Sequence, residues 1–347
     1  MKIAVDVMSG ERSPEPLVHG ALESLKEHNA SIILVGDKDI ITSALKKYPH
    51  DKSRIEIVHS TQIIKMHESP TEAIKQKPDA SVMVATQLVK NGLADGFISP
   101  GNTGATVATA FWKLGRLKGV SRPAILAKLP TSSYKYTAIL DVGAIPECKA
   151  IHLVQFAVMG AVHVSKLYDI KSPRIGLLCN GEEETKGTAV SRKAYKILKK
   201  LPVNFVGNIE GRNLFDGSID VAVCDGFTGN IILKATEGVG LTIYSLLKTE
   251  IRKSIIFQAS ALLMVKVFKE LKKKIDYQEY GGAQLIGVNG VCIKTHGSSS
   301  TKDIKNGIKV AVKAVQNEMN GEIIEKLKEY GVNKLNWHFW GEDPEDL

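Results

Sequence analysis

The chain has 347 residues, 44% apolar and 24% charged, with a formal net charge of +9. That balance excludes a disordered acidic chain, a collagen-like repeat and a disulfide-dense miniprotein. The length fits two domains or one large α/β unit, and the positive surplus suits an anionic substrate, an acidic protein, an anionic membrane surface or nucleic acid.

From the N-terminus, short Val/Ile/Leu-rich runs alternate with stretches of helical period. The runs predict strands at 2–7, 31–36, 54–60, 96–99, 124–129, 137–142, 174–179, 203–206 and 221–224. Many are apolar at nearly every position, as strands buried on both faces are. Helices are expected between them at 14–28, 79–91, 102–114, 149–167 and 185–200, with a C-terminal one at 302–319. In the first, Leu17, Val18, Ala21, Leu22 and Leu25 recur at helical spacing. This alternation implies α/β layers around a mainly parallel sheet. With no repeat, low-complexity tract or linker, 1–347 reads as a single α/β catalytic unit. The least strand-like stretch gives it an amphipathic helical excursion at about 237–276.

Cys148, Cys179, Cys224 and Cys292 form no CxxC pair, and their spacing suggests no zinc site. Free thiols fit a reducing cytosol. The first residues lack the apolar core of a signal peptide. No stretch reaches the roughly 18–20 apolar residues of a membrane span. A cytoplasmic location is the expectation.

Several Gly-rich loops follow strands, where α/β sheets bind ligands. Residues 99–105 read Ser-Pro-Gly-Asn-Thr-Gly-Ala. Gly101 and Gly104 let backbone N–H groups approach an anion at a helix start. The same residues also make a tight turn with Asn102 or Thr103 as cap. Asp225 opens a loop of the same form, with Gly229 and Asn230, so a site built from both loops is expected. Neither a P-loop nor a GxGxxG turn occurs.

Residues 180–187 carry Glu182, Glu183 and Glu184 ahead of Lys186. The glutamates suit the first turn of a helix. Lys186 suits a phosphate, as a point charge. Asp141 ends another apolar strand. His296 precedes three serines, and is either a general acid or base or a polar loop residue. No HExxH or EF-hand pattern supports a metal, and no cofactor is implied.

The stretch 248–274 holds eight basic and two acidic residues, a local net of +6, or two-thirds of the surplus. Between its basic clusters lies an apolar run, 255–268, too short to span a bilayer. Leu263, Met264, Val267, Phe268, Leu271 and Ile275 share a helical face, with Lys266, Lys269 and Lys273 opposite. That pattern suits an interfacial membrane helix, or a helix pair in a dimer interface with snorkelling lysines. No Trp or Tyr is interleaved for base stacking, so nucleic acid is not expected.

Together and in order, these loops resemble the bacterial phosphate acyltransferase (acyl-acyl carrier protein:phosphate acyltransferase) family. The markers run from the opening IAVDVMSG through ESPTEAI at 68–74, SPGNTGA at 99–105, RPAILAKLPT at 122–131 and LDVGA at 140–144. NGEEETKG, VGNIEGRNLFDG, CDGFTGN, DYQEYGGAQLIGVNG and HGSSS follow. The chain departs from the family pattern at Ser9 and Glu11, where Gly and Asp are usual, and at Ile145 and Ala150, where Asn and Pro are. The tail after about Gly321 is not matched.

The resemblance implies a three-layer α/β/α sandwich with one extended mixed, mainly parallel sheet, like the isocitrate/isopropylmalate dehydrogenases. It implies a homodimer that moves a fatty acyl group from acyl carrier protein to inorganic phosphate. A downstream membrane glycerol-3-phosphate acyltransferase would use the acyl phosphate for phospholipid. On this reading Gly101, Asn102, Thr103, Gly104, Asp141, Gly229 and Asn230 bind phosphate or substrate. Lys186, Asp225 and His296 are the catalytic candidates. Leu263, Met264, Val267, Phe268 and Leu271 contact an anionic membrane surface, making the enzyme peripherally membrane-associated. The alternatives are a non-enzymatic peripheral membrane scaffold and a metal-dependent dehydrogenase of the same fold.

Overall fold

The computed structural model describes residues 1–133, 135–268 and 281–333. Its strands are β1 (Lys2–Asp6), β2 (Ser31–Gly36), β3 (Ile55–His59), β4 (Gly96–Ser99), β5 (Ala124–Pro130) and β6 (Tyr136–Leu140), then β7 (Ile175–Leu178), β8 (Phe205–Ile209), β9 (Val221–Val223), β10 (Ala283–Ile286) and β11 (Val291–Lys294). All belong to one sheet in the order β3-β2-β1-β4-β11-β10-β5-β6-β9-β7-β8.

Strand direction divides this sheet. Strands β3, β2, β1, β4 and β11 are mutually parallel. Strands β6, β9, β7 and β8 are parallel among themselves. Three antiparallel pairings, β11–β10, β10–β5 and β5–β6, reverse the direction between the two sets. The C-terminal ends of β1, β4 and β11 therefore lie at one edge, and those of β6, β9 and β7 at the other.

Alternate side chains of each strand enter different cores. Ile3 and Val5 pack into one cluster and Ala4 into the other; Ala138 and Leu140 part from Ile139 in the same way. Two apolar faces on one sheet require two helical layers. Helix α1 (Pro14–Ser24) covers one face beside the helix at Thr301–Gln316, and α4 (Ser81–Lys90) covers the other against β1, β2 and β4. The expected α/β/α sandwich with a mixed, mainly parallel sheet is the fold observed.

Helix α6 (Ala150–Tyr168) has the length and hydropathy of a membrane span, although 78% of its most apolar window is buried. It is a core helix lying on β6 and β9. Several elements differ from the sequence expectation. The hairpin β10–β11 and the helices α2 (Lys38–Leu45) and α3 (Pro70–Gln76) had no predicted counterpart. Helix α7 (Ala189–Leu198) starts four residues later than expected, which leaves 180–187 as a loop.

After the short helix α8 (Asn213–Asp216), α9 (Gly226–Arg252) starts inside the 225–230 loop. The helical excursion thus begins before residue 237. Only Gly226 and Gly229 of α9 are buried. The chain breaks at Lys253–Ser254, where the Ser254 hydroxyl accepts the Ile256 N–H at 3.2 Å. Helix α10 (Ile255–Leu263) follows, and Leu263 is 90% exposed. Leu271, Lys269, Lys273 and Ile275 of the expected amphipathic helix lie outside the described residues.

Candidate active site

At the first edge, three strand ends and one helix start converge. Asp6, fully buried at the end of β1, accepts the N–H groups of Met8 and Ser9 at 3.1 Å and the Ser99 hydroxyl at 2.7 Å. Ser99 in turn accepts the Gly101 N–H at 3.1 Å. Gly101 lies so close to Ser9 that an added Cβ would come within 2.7 Å of the Ser9 side chain. The Ser9 hydroxyl meets that of Ser81 at 3.0 Å. One carboxylate and three hydroxyls thus shape the floor under residues 99–104.

Helix α5 (Thr103–Lys113) rises from this floor. Asn102 is its cap: the side-chain carbonyl accepts the Ala105 N–H at 3.0 Å and the amide donates to the Met66 carbonyl at 2.7 Å. Thr103 and Gly104 are exposed. Among the described residues nothing accepts their N–H groups. The first turn of a helix leaves such donors unsatisfied, and its dipole favours an anion there.

Strand β11 brings the third contribution. Its last residue, Lys294, donates to the carbonyls of Pro100 at 3.4 Å and of Thr295. Burial lowers its ammonium to about 8, against the pull of Asp6, Cys292 and Glu11. His296 is exposed just beyond, and its Nδ1 meets the Ser298 hydroxyl at 2.7 Å. The structure therefore sets Gly101, Asn102, Thr103 and Gly104 beside Lys294, with His296 two residues further along the chain. Asp6, Ser81, Ser99 and Lys294 were not singled out from the sequence, and Ser9 only as a departure from the family pattern. Asp6 carried one signal, a lone carboxylate in an apolar strand.

The second edge holds the other candidates. Asp141 is fully buried. Its carboxylate accepts four backbone N–H groups, from Ile125 (2.9 Å), Gly143 (3.1 Å), Ala144 (2.9 Å) and Ile145 (2.7 Å). Burial pushes it up to about 6, and those donors pull it down. A carboxylate that accepts four backbone donors of its own surroundings shapes that loop.

Gly229 has a packing role. A Cβ there would meet the Asp141 carbonyl oxygen at 1.9 Å, so only glycine lets α9 start against this loop. Asn230 lies beside Gly143. Asp225 caps α9, accepting the Thr228 N–H and hydroxyl at 2.8 Å each. Burial, with the charges of Asp141 and Asp225, pushes the Cys148 thiol up to about 12 and raises Cys224 as well. Neither is a thiolate nucleophile at neutral pH.

Lys186 is exposed at the end of β7, in a loop whose Glu182 pairs with Arg212 and Glu184 with Lys199. Six strand steps separate β7 from β4. At about 4.8 Å per step that is roughly 29 Å along the sheet. Lys186 and the Gly101–Gly104 loop of the same chain therefore stand at opposite edges of the sheet. Among the described residues no hydrogen bond joins the two edges' loops, and the site expected from both loops falls into two clusters.

Comparison with known proteins decides the lineage. A family model described as "Fatty acid synthesis protein" matches residues 1–322. The phosphate acyltransferase of a Nitratiruptor species is 48% identical over 331 residues, 95% of this chain and 98% of the relative. That of Leptospira biflexa is 46% identical over 332 residues, covering 95% and 98%. The chain belongs to the phosphate acyltransferase family.

Solved structures show the fold to be shared more widely. A phosphotransacetylase from Streptococcus pyogenes superposes with a TM-score of 0.64 at 18% identity, over 91% of this chain and 94% of that one. A 4-hydroxythreonine-4-phosphate dehydrogenase from Klebsiella pneumoniae gives 0.53 at 12%, over 91% and 99%. At such identities the likeness is one of fold.

The positions that depart from the phosphate acyltransferase pattern are seated in these loops. Ser9 places a hydroxyl against Ser81, and the Glu11 backbone N–H donates to the Gly297 carbonyl at 2.7 Å. Ile145 acts through its backbone, donating to Asp141 and accepting the Gly226 N–H at 2.8 Å. The loss of an Asn side chain there leaves the loop intact.

Proposed function

We propose that this acyltransferase moves a fatty acyl group from acyl carrier protein to inorganic phosphate, giving acyl phosphate. The observation that carries this reading is the open first turn of α5, with exposed Thr103 and Gly104 and no described acceptor for their N–H groups. In a family whose members are named for phosphate, that turn is the seat for the nucleophile.

The chemistry asks little else. Phosphate is a competent nucleophile at neutral pH once desolvated and oriented, and orientation alone is worth up to about 7–11 kcal/mol. The leaving thiolate has a conjugate acid of pKa roughly 8.5, so a dedicated general acid is optional. His296, exposed two residues beyond Lys294, is the candidate if one is used. The roles of Lys186 and Asp225 move to the thioester side, where an exposed lysine attracts an acidic carrier.

Two assembly proposals accompany this. Val239, Ile243 and Leu246 are exposed on one face of α9, and a second copy of the chain would cover them as a homodimer. Leu263, Met264 and Val267 are exposed around the end of α10, with Phe268 half-buried beside them. With the neighbouring lysines they suit an anionic membrane surface, where a glycerol-3-phosphate acyltransferase would receive the product.

The test is incubation with acyl carrier protein thioester and radiolabelled phosphate. Label is expected in acyl phosphate, whose acyl group hydroxylamine traps as the hydroxamate. Absence of labelled product with folded protein rejects the reading.

A further inference from the structure

The sequence assigned the phosphate's counter-charge to Lys186, which lies at the opposite edge of the sheet from Gly101–Gly104. Another cation stands at the near one. The Lys294 ammonium reaches the Pro100 carbonyl, inside the 99–104 loop, across 194 positions of sequence. Its two acceptors are neutral carbonyls, and among the described residues no carboxylate forms an ion pair with it. Asp6, whose charge favours the Lys294 ammonium, accepts from Ser99, Met8 and Ser9. Lys294 is half-buried and feels the charges of Asp6 and Glu11 without touching either carboxylate, so it keeps the capacity to pair with an anion. The helix start beside it has the same capacity, since the N–H groups of Thr103 and Gly104 await an acceptor.

We propose that Lys294 is the cation that binds inorganic phosphate at the N-terminus of α5. This rests on the phosphate acyltransfer reading and names its anion-binding side chain. A phosphate oxygen attacks the thioester carbonyl carbon. The C–O bond forms, the C–S bond breaks, and the electron pair leaves on sulfur. The proton of monohydrogen phosphate ends on the thiolate. Lys294 keeps its own proton throughout, holding the dianion by charge while the α5 N–H groups orient it.

Lys294 faces Asp6 at the end of β1, Glu11 in the loop that follows, and Cys292 on its own strand, with His296 two residues on. Since burial lowers its ammonium to about 8, the free protein loses this charge on the alkaline side of neutrality. Phosphate affinity falls there with it.

The test compares Lys294→Gln and Lys294→Arg with the wild type by calorimetric titration with inorganic phosphate and by steady-state kinetics. Lys294→Gln is expected to weaken phosphate Kd and raise its KM at least tenfold, leaving the thioester KM within twofold. Lys294→Arg should recover most of that affinity and carry it past pH 9, where the wild type has lost it. A phosphate Kd within twofold of wild type in folded Lys294→Gln overturns the proposal. If Lys294→Gln does not fold, an unshifted alkaline limb in Lys294→Arg overturns it instead. A wild type that binds phosphate but makes no acyl phosphate rejects the function, while the Kd ratios still decide Lys294.

Discussion

Ser99 donates its hydroxyl to Asp6 at 2.7 Å, joining positions 93 apart in sequence at the ends of two parallel strands. The same carboxylate also holds the turn at Met8 and Ser9. Asp6 thus fixes two loops to each other. Asp6→Ala leaves two buried donors and one half-buried donor without their acceptor, at about 1–3 kcal/mol each. A loss of roughly 3 kcal/mol or more is expected in urea unfolding. Ser99→Ala removes two hydrogen bonds, one to Asp6 and one from Gly101, and should cost about 1–3 kcal/mol. Wild-type stability in Asp6→Ala would show that the loops hold without this tie.

Lys186 separates the two edges of the sheet experimentally. Lys186→Glu reverses an exposed charge on the side assigned to the carrier thioester. The KM for acyl carrier protein should rise several-fold, most at low ionic strength, because steering by surface charge is screened by salt. The KM for phosphate should stay within twofold. A large rise in phosphate KM would mean that Lys186 meets the phosphate after all.

His163 makes stability depend on pH. It is fully buried on α6, and neither ring nitrogen has a partner among the described residues. Burial, with the nearby charge of Lys128, lowers it to about 3. The unfolded chain binds this proton near pH 6.5, roughly, and the folded chain refuses it until about pH 3. Stability is therefore complete above 6.5 and falls as pH drops through that window, by about 1.4 kcal/mol per unit. His152, lowered to about 4 mainly by burial, adds loss of the same sign. Urea midpoints at pH 7, 6 and 5 for wild type and His163→Leu isolate one term. By pH 5 the variant should have lost roughly 2 kcal/mol less than wild type relative to pH 7. Parallel curves would remove His163 from the acid response.

Much of the sandwich could be read from the sequence because strands buried on both faces are apolar at nearly every position, as β2 and β4 are but for a terminal serine. Helix α5 was legible too, since Asn102 is a cap that announces itself. The β10–β11 hairpin was not. Ala283–Ile286 is four residues long and contains a glutamine, and Gly281, Gly282, Gly287 and Gly290 at positive φ interrupt the pattern around it. The site was legible as loops and illegible as a geometry. Asp141 belongs to a recognisable motif, yet only its four N–H partners reveal that it faces inward. Lys294 is one of 46 basic residues until the sheet sets it against Pro100. Periodicity reports burial, whereas the pairing of distant strand ends depends on strand order and direction.

The tip of the helical excursion tests membrane association without touching catalysis. Ile255 and Leu263 are 84% and 90% exposed, far from the sheet's loops along the chain. Seating one such side chain in lipid gains about 1.5–3 kcal/mol, more than tenfold in partitioning. Lys253 and Lys266 beside them add attraction to anionic headgroups, about 1 kcal/mol each near the surface. The double variant Ile255→Glu with Leu263→Glu should therefore lose sedimentation with phosphatidylglycerol vesicles by at least about a hundredfold in affinity. Wild type should bind phosphatidylcholine vesicles more weakly and leave anionic ones as salt is raised. Turnover of soluble carrier thioester should be unchanged, since neither residue approaches the first-edge cluster. Undiminished vesicle binding by the double variant would move the membrane contact away from this tip.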